Sequence, residues 1–108
     1  MKKEIKIRVW NKIEKVMFSI GSNPNLTNYQ TTIYELMQFT GLKDKNGKEI
    51  YEGDIFKKSN YFYQVVFEDG MFGVWTKNYG WKVLTKFKFI EVIGNIYENP
   101  ELLNKQKP

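Results

Sequence analysis

Thr40-Gly41-Leu42-Lys43-Asp44-Lys45-Asn46-Gly47-Lys48-Glu49-Ile50-Tyr51-Glu52-Gly53-Asp54-Ile55 sets two glycine-centred turns beside apolar Leu42, Ile50, Tyr51 and Ile55. Asn46-Gly47 supplies the two positive-φ residues of a tight hairpin turn, and Glu52-Gly53-Asp54 reads as a second turn that launches the strand Ile55-Phe56-Lys57-Lys58. Turns this close together leave room only for short strands between them. The stretch therefore decides for β structure and for the register of what lies on either side.

Working toward the N-terminus, Lys2 to Trp10 alternates. Ile5, Ile7 and Val9 fall on one face, and Glu4, Lys6, Arg8 and Trp10 on the other, the period of a half-buried strand. Val16-Met17-Phe18-Ser19-Ile20 returns as its hairpin partner if Ile13 to Lys15 close the turn. Gly21-Ser22-Asn23-Pro24-Asn25 is the densest cluster of breakers and reads as a loop, a candidate hinge. Gln30 to Phe39 mixes helical and strand spacing and is read as a strand.

Toward the C-terminus, Tyr61 to Phe67 and Met71 to Thr76 flank Asp69-Gly70, a second strong hairpin signal. Asn78-Tyr79-Gly80 leads into Trp81 to Leu84. Thr85 to Ile90 alternates, with Phe87 and Phe89 on one face and Lys86 and Lys88 on the other. Glu91 to Tyr97, bulged at Gly94, closes the sheet. Asn99-Pro100-Glu101 starts a helix of a turn or two, with Asn99 as its cap. The predicted fold is mainly β, a small strongly bent antiparallel sheet or SH3-like barrel. It is one domain: an N-terminal hairpin over 1–20, a loop over 21–32, a barrel core over 33–98, and a short helix and tail over 99–108.

Composition narrows the chemistry. The chain of 108 residues has no Ala, 17% aromatic residues and many β-branched ones, which agrees with strands rather than helices. The absence of Cys and His removes thiol and imidazole catalysis and the usual zinc ligands, so neither an enzyme nor a cofactor or metal site is expected. Glu4, Lys6 and Arg8 interrupt the apolar residues of the basic start, so no signal core is expected, nor a membrane span anywhere, and the reading is cytoplasmic. The net charge of +5 favours a polyanionic partner. Two facts weaken that inference: Arg8 is the single arginine, and a lysine-, asparagine- and isoleucine-rich, alanine-free composition also follows from an AT-rich genome.

The run from Leu36 through Ile55 resembles the signature of the YopX family, small proteins of bacteriophages and prophages. Glu4 to Asn11 resembles its opening strand and Ile90 to Leu103 its closing one. The resemblance implies a mainly β, barrel-like fold and a phage setting, hence the cytoplasm of a bacterial host. It implies no established activity and no catalytic residues.

Four groups of residues could carry chemistry. Glu52 and Asp54 could pair for acid/base work, but capping of turn amides explains them better, and Asp44 with Asn46 and Gly47 lacks the further ligands of a calcium loop. Gly70, Gly73 and Gly80 do not open a helix and cradle no phosphate. Tyr61, Tyr63, Trp75, Tyr79 and Trp81, interleaved with Lys57, Lys58, Lys77 and Lys82, are the one combination that resembles a single-strand-binding surface, against the alternative of core packing with a rim of solvated lysines. The same aromatics, with Leu102-Leu103, also suit a protein contact or a homo-oligomer. The expected function is non-enzymatic binding to a host or phage protein, with nucleic-acid binding as the alternative.

Overall fold

Alternation and turn chemistry produce ten short strands in a computed structural model that describes residues 5–76 and 79–106. They are β1 (Lys6–Asn11), β2 (Val16–Ser22), β3 (Tyr34–Lys43), β4 (Glu49–Tyr51), β5 (Asp54–Lys58), β6 (Tyr61–Gln64), β7 (Val66–Glu68), β8 (Met71–Thr76), β9 (Gly80–Val83) and β10 (Val92–Asn95). All the pairings are antiparallel. They form three sheets, ordered β2-β1-β3-β4, β10-β5-β6 and β7-β8-β9.

The mainly β expectation holds, but among the described residues no barrel closes. The chain leaves β9 through a 3-10 turn at Leu84–Lys86, and Phe89 then adopts φ +57, a left-handed conformation that takes a phenylalanine out of the extended region. Thr85 to Ile90 is consequently not a strand, and β9 never reaches β10. Phe87 and Phe89 do not share a face: Phe87 packs on Phe56 and Tyr63, whereas Phe89 projects into solvent.

β1 lies between β2 and β3, so the N-terminal hairpin and the strand beyond the breaker-rich loop share one sheet. The hairpin turn closes with Lys15 N donating to Asn11 O, while the Asn11 side chain accepts from the Ile13 and Glu14 amides. At Asp69-Gly70 both residues have positive φ, the backbone of a tight two-residue hairpin. At Asn46-Gly47 only Gly47 does, because a different device makes that turn. Asp44 Oδ1 accepts from the amides of Asn46 and Lys48, at 2.9 Å each, so the aspartate replaces a second left-handed residue.

The core gathers Ile50, Phe56, Val65, Val74, Leu84, Ile90 and Val92 where the three sheets meet. Main-chain bonds lock the sheets together: Gly53, in left-handed conformation, donates to Val65 O and accepts from Ile96 N. Trp10 stacks on Tyr97 at 5.9 Å and joins the first sheet to the segment after β10. The C-terminal helix is a 3-10 helix, Pro100–Gln106. Asn99 is not its side-chain cap: Asn99 Oδ1 turns back to accept from Asn95 N, and Leu102 N bonds to Asn99 O with the tighter 3-10 spacing.

Candidate interaction surface

Cross-strand pairing sorts the predicted Lys/aromatic surface into separate places. Trp75 pairs with Trp81 and Gly73 with Val66 and Val83, so these side chains leave the outer face of the β7-β8-β9 sheet. Val74, on the opposite face, is fully buried in the core. Lys82 pairs with Val74 and therefore leaves the sheet on the other side from Trp81, where its ammonium lies 6.0 Å from the Tyr79 ring. Lys77 lies outside the described residues.

The β5-β6 hairpin divides in the same way. Tyr63 pairs with Phe56 and packs with Phe87, so it belongs to the core boundary rather than to a stacking platform. Tyr61 pairs with Lys58 beside the Ser59-Asn60 turn, and Lys58 Nζ donates to Lys88 O at 3.2 Å. Lys57 lies over the Phe62 ring at 5.6 Å. The described members of the predicted surface thus make local pairs on several faces.

Trp75 and Trp81 remain together, with ring centroids 5.4 Å apart and edge-to-face geometry. Trp75 is 59% exposed, and its indole N–H donates to Glu68 Oε1 at 3.2 Å. Beside it a cleft of about 220 Å³ is lined by Phe62, Tyr63, Gln64, Val66 and Leu103 as well as Trp75, so Tyr63 and Trp75 border one hollow. Gly73 makes this face possible. A Cβ there would sit 2.4 Å from Lys82 O and 2.6 Å from the Trp81 ring, so the indole lies directly on the glycine backbone. Gly73→Ala should therefore push Trp81 off the sheet and lower stability by about 1–3 kcal/mol. Denaturant unfolding followed by Trp fluorescence measures both the loss and the altered Trp75–Trp81 contact.

Glu52 and Asp54 are held in different places. Asp54 is buried, its side chain 1% exposed, with Oδ1 2.7 Å from Arg8 Nη1 and Oδ2 accepting from Tyr51 N. The Oδ1 charge contact lacks good hydrogen-bond alignment, and Arg8 Nε is likewise unpaired. The guanidinium also lies 4.8 Å from the Tyr51 ring centre and donates to Glu52 O. Burial pushes the Asp54 carboxyl up despite the opposing pull of Arg8. Glu52 instead lines a separate cleft with Glu35 and Tyr97, whose phenol is held above its ordinary value by burial and by those two carboxylates.

Asp44 is saturated by its own backbone. Beyond the two turn amides, its Oδ2 accepts from Val92 N at 3.0 Å, which ties the β3–β4 turn to β10. Burial raises its carboxyl, but the amides of Val92, Lys48 and Asn46 outweigh that and hold it below the ordinary range. A carboxylate engaged in this way has little left for a cation, and among the described residues no cluster of three or more His, Cys, Asp or Glu is placed to hold a metal. No helix among them is long and apolar enough to cross a membrane.

Sequence reading missed the most exposed aromatic among the described residues. Phe89 is 89% exposed, and its main chain is pinned on both sides: Lys88 O accepts from Lys58 Nζ and Ile90 O accepts from Lys45 N. A phenylalanine in a left-handed conformation that packs on nothing is a net strain. Phe89→Asn should raise stability by roughly 0.5–1 kcal/mol in thermal unfolding, since asparagine tolerates that backbone and no packing is lost.

The model of the family described as YopX protein matches residues 9–104. Two solved structures are similar. Protein EF1440 from Enterococcus faecalis superposes with a TM-score of 0.65 at 30% identity, covering 92% of this chain and 97% of that one. The protein yopX from Bacillus subtilis gives 0.58 at 25% identity, covering 91% and 97%. Comparison with curated proteins returned no match.

Proposed function

The chain belongs to the YopX family, and from that premise we propose that it is a non-enzymatic, phage-encoded accessory protein that works in the host cytoplasm by binding a protein. The observation that carries this reading is the outer face of the β7-β8-β9 sheet. A largely exposed Trp75 is braced by Trp81 and Glu68 and borders a cleft that includes Leu103. A rigid aromatic beside a pocket is the usual anchor of a protein interface, and either a host or phage protein or a second copy of this chain would suit it.

The nucleic-acid alternative asks for lysines around the stacking rings. Lys82 departs from the opposite side of the sheet, which favours the protein reading. The test is capture by tagged protein from infected-host lysate, with and without nuclease, using wild type and Trp75→Ser, together with sedimentation of the purified protein. The expected result is a nuclease-resistant partner, or self-association, weakened at least about tenfold by Trp75→Ser. Capture that depends on intact nucleic acid and ignores Trp75 would replace this reading with the alternative.

A further inference from the structure

Two adjoining hollows lie beside the Trp75 cleft's sheet, and Trp75 lines neither of them. One, of about 310 Å³, is lined by Lys43, Lys45, Lys88 and Phe89 at its mouth and by Leu42 and Leu84 deeper in. The other, of about 300 Å³, has Thr40, Met71, Phe72 and Val83 around it and shares Leu42, Leu84 and Thr85 with the first. Together they make one groove, aliphatic at the Met71–Val83 end and basic at the Lys43–Lys88 end.

The charge at the basic end is only partly compensated. Asp44, the acidic residue in the lining, directs both carboxylate oxygens at backbone amides. Lys45 reaches Glu91 at 3.6 Å in a half-exposed pair, which contributes little. Among the described residues no ion pair engages Lys43 or Lys88. At the lip stands Phe89, held outward in a strained backbone by bonds on either side of it, and such strain is characteristic of residues kept for contact rather than for stability.

We propose that this groove docks an extended acidic segment of a partner protein, with apolar side chains in the Met71–Val83–Leu42 half, carboxylates on Lys43, Lys45 and Lys88, and Phe89 closing over the segment. The floor argues for a peptide and against a nucleic-acid strand. Phosphates gain nothing from an aliphatic trough, whereas a polypeptide that alternates apolar and acidic residues fills both halves at once. The inference rests on the protein-binding reading above but places a second contact on residues that the Trp75 cleft does not share, so the two can fail separately.

The decisive experiment is selection of a displayed random-peptide library on the full chain, followed by fluorescence anisotropy of the winning peptides with wild type, Lys43→Glu/Lys88→Glu, Phe89→Asn and Trp75→Ser. A labelled oligothymidylate is titrated in parallel, and circular dichroism verifies the fold of each variant. The expected winners join acidic to apolar residues and lose at least about tenfold in affinity with Lys43→Glu/Lys88→Glu and several-fold with Phe89→Asn. They keep their affinity with Trp75→Ser, and exchanging the peptide's acids for lysines restores binding to the double variant. Three results would overturn the proposal: winners without acidic residues, winners that bind the groove variants as well as wild type, or no enrichment at all. If Trp75→Ser alone abolishes binding, this groove is excluded while the protein-binding reading stands. If oligothymidylate binds through Lys43 and Lys88 and no peptide does, the groove serves a polynucleotide instead.

Discussion

Arg8→Met should lower the free energy of unfolding by about 3–5 kcal/mol, the largest effect expected from a single substitution in this chain. The magnitude comes from what is left behind. Methionine fills much of the arginine's volume, so packing against Tyr51 changes modestly, but Asp54 keeps a buried carboxylate with no cation. Adding Asp54→Asn to Arg8→Met should restore much of the loss, because the amide oxygen still accepts from Tyr51 N and no buried charge remains. A double-mutant cycle by denaturant unfolding measures this coupling directly.

The pH dependence provides an independent check. Burial raises the Asp54 carboxyl above its ordinary 3.8, so the native state holds that proton more tightly than the unfolded chain does. Its contribution to stability is therefore greatest below 3.8 and declines as pH rises through the native value. Removing Arg8 raises that value further. The deficit of Arg8→Met against wild type should be full at neutral pH and shrink on acidification, once Asp54 protonates in the variant.

Asp44→Ala is the second large effect, a loss of about 3 kcal/mol, since three amides lose a charged acceptor at once. Asp44→Asn should lose about half as much, because one oxygen still serves the turn while the amide nitrogen faces Val92 N–H, donor against donor. Here the pH sign is reversed. The native carboxyl lies below 3.8, so its stabilisation is present above that value and disappears as pH falls through the depressed native value. Asp44→Ala should accordingly flatten the acid limb of the wild-type stability curve, which urea midpoints measured from neutral pH down to pH 3 would reveal.

Much of the fold follows from local chemistry visible in the chain. Asp69-Gly70 can hardly be anything but a hairpin turn, and Val66–Glu68 and Met71–Thr76 flank it as β-rich strands. What escapes a linear reading depends on partners distant in sequence. Alternation in β1 predicts that Arg8 faces water, because a polar residue on the off-face usually does; its carboxylate comes from β5. The same rule places Phe87 and Phe89 on one face, and it fails because pinning by Lys45 and Lys58 turns the backbone between them. The Lys/aromatic surface dissolves for a related reason: spacing along the chain groups Trp81 with Lys82, whereas a strand sends neighbours to opposite sides. The groove between Met71 and Lys88 leaves no trace in the sequence at all, since its walls come from four separated segments.

The bond from Val92 N to Asp44 spans 48 residues and bears on how the molecule comes into being. β5, in the middle of the chain, takes β10 as a neighbour, and the hub at Asp44 stays incomplete until β10 arrives. The hairpin over β1 and β2 can form as the chain emerges from the ribosome, but the central sheet cannot. Loop closure over such separations is slow compared with hairpin formation. While synthesis proceeds, Phe56 and Val65 wait uncovered on a half-built sheet, so the interval between translation of β6 and of β10 is when this protein is most exposed to chaperones, proteases and its own copies.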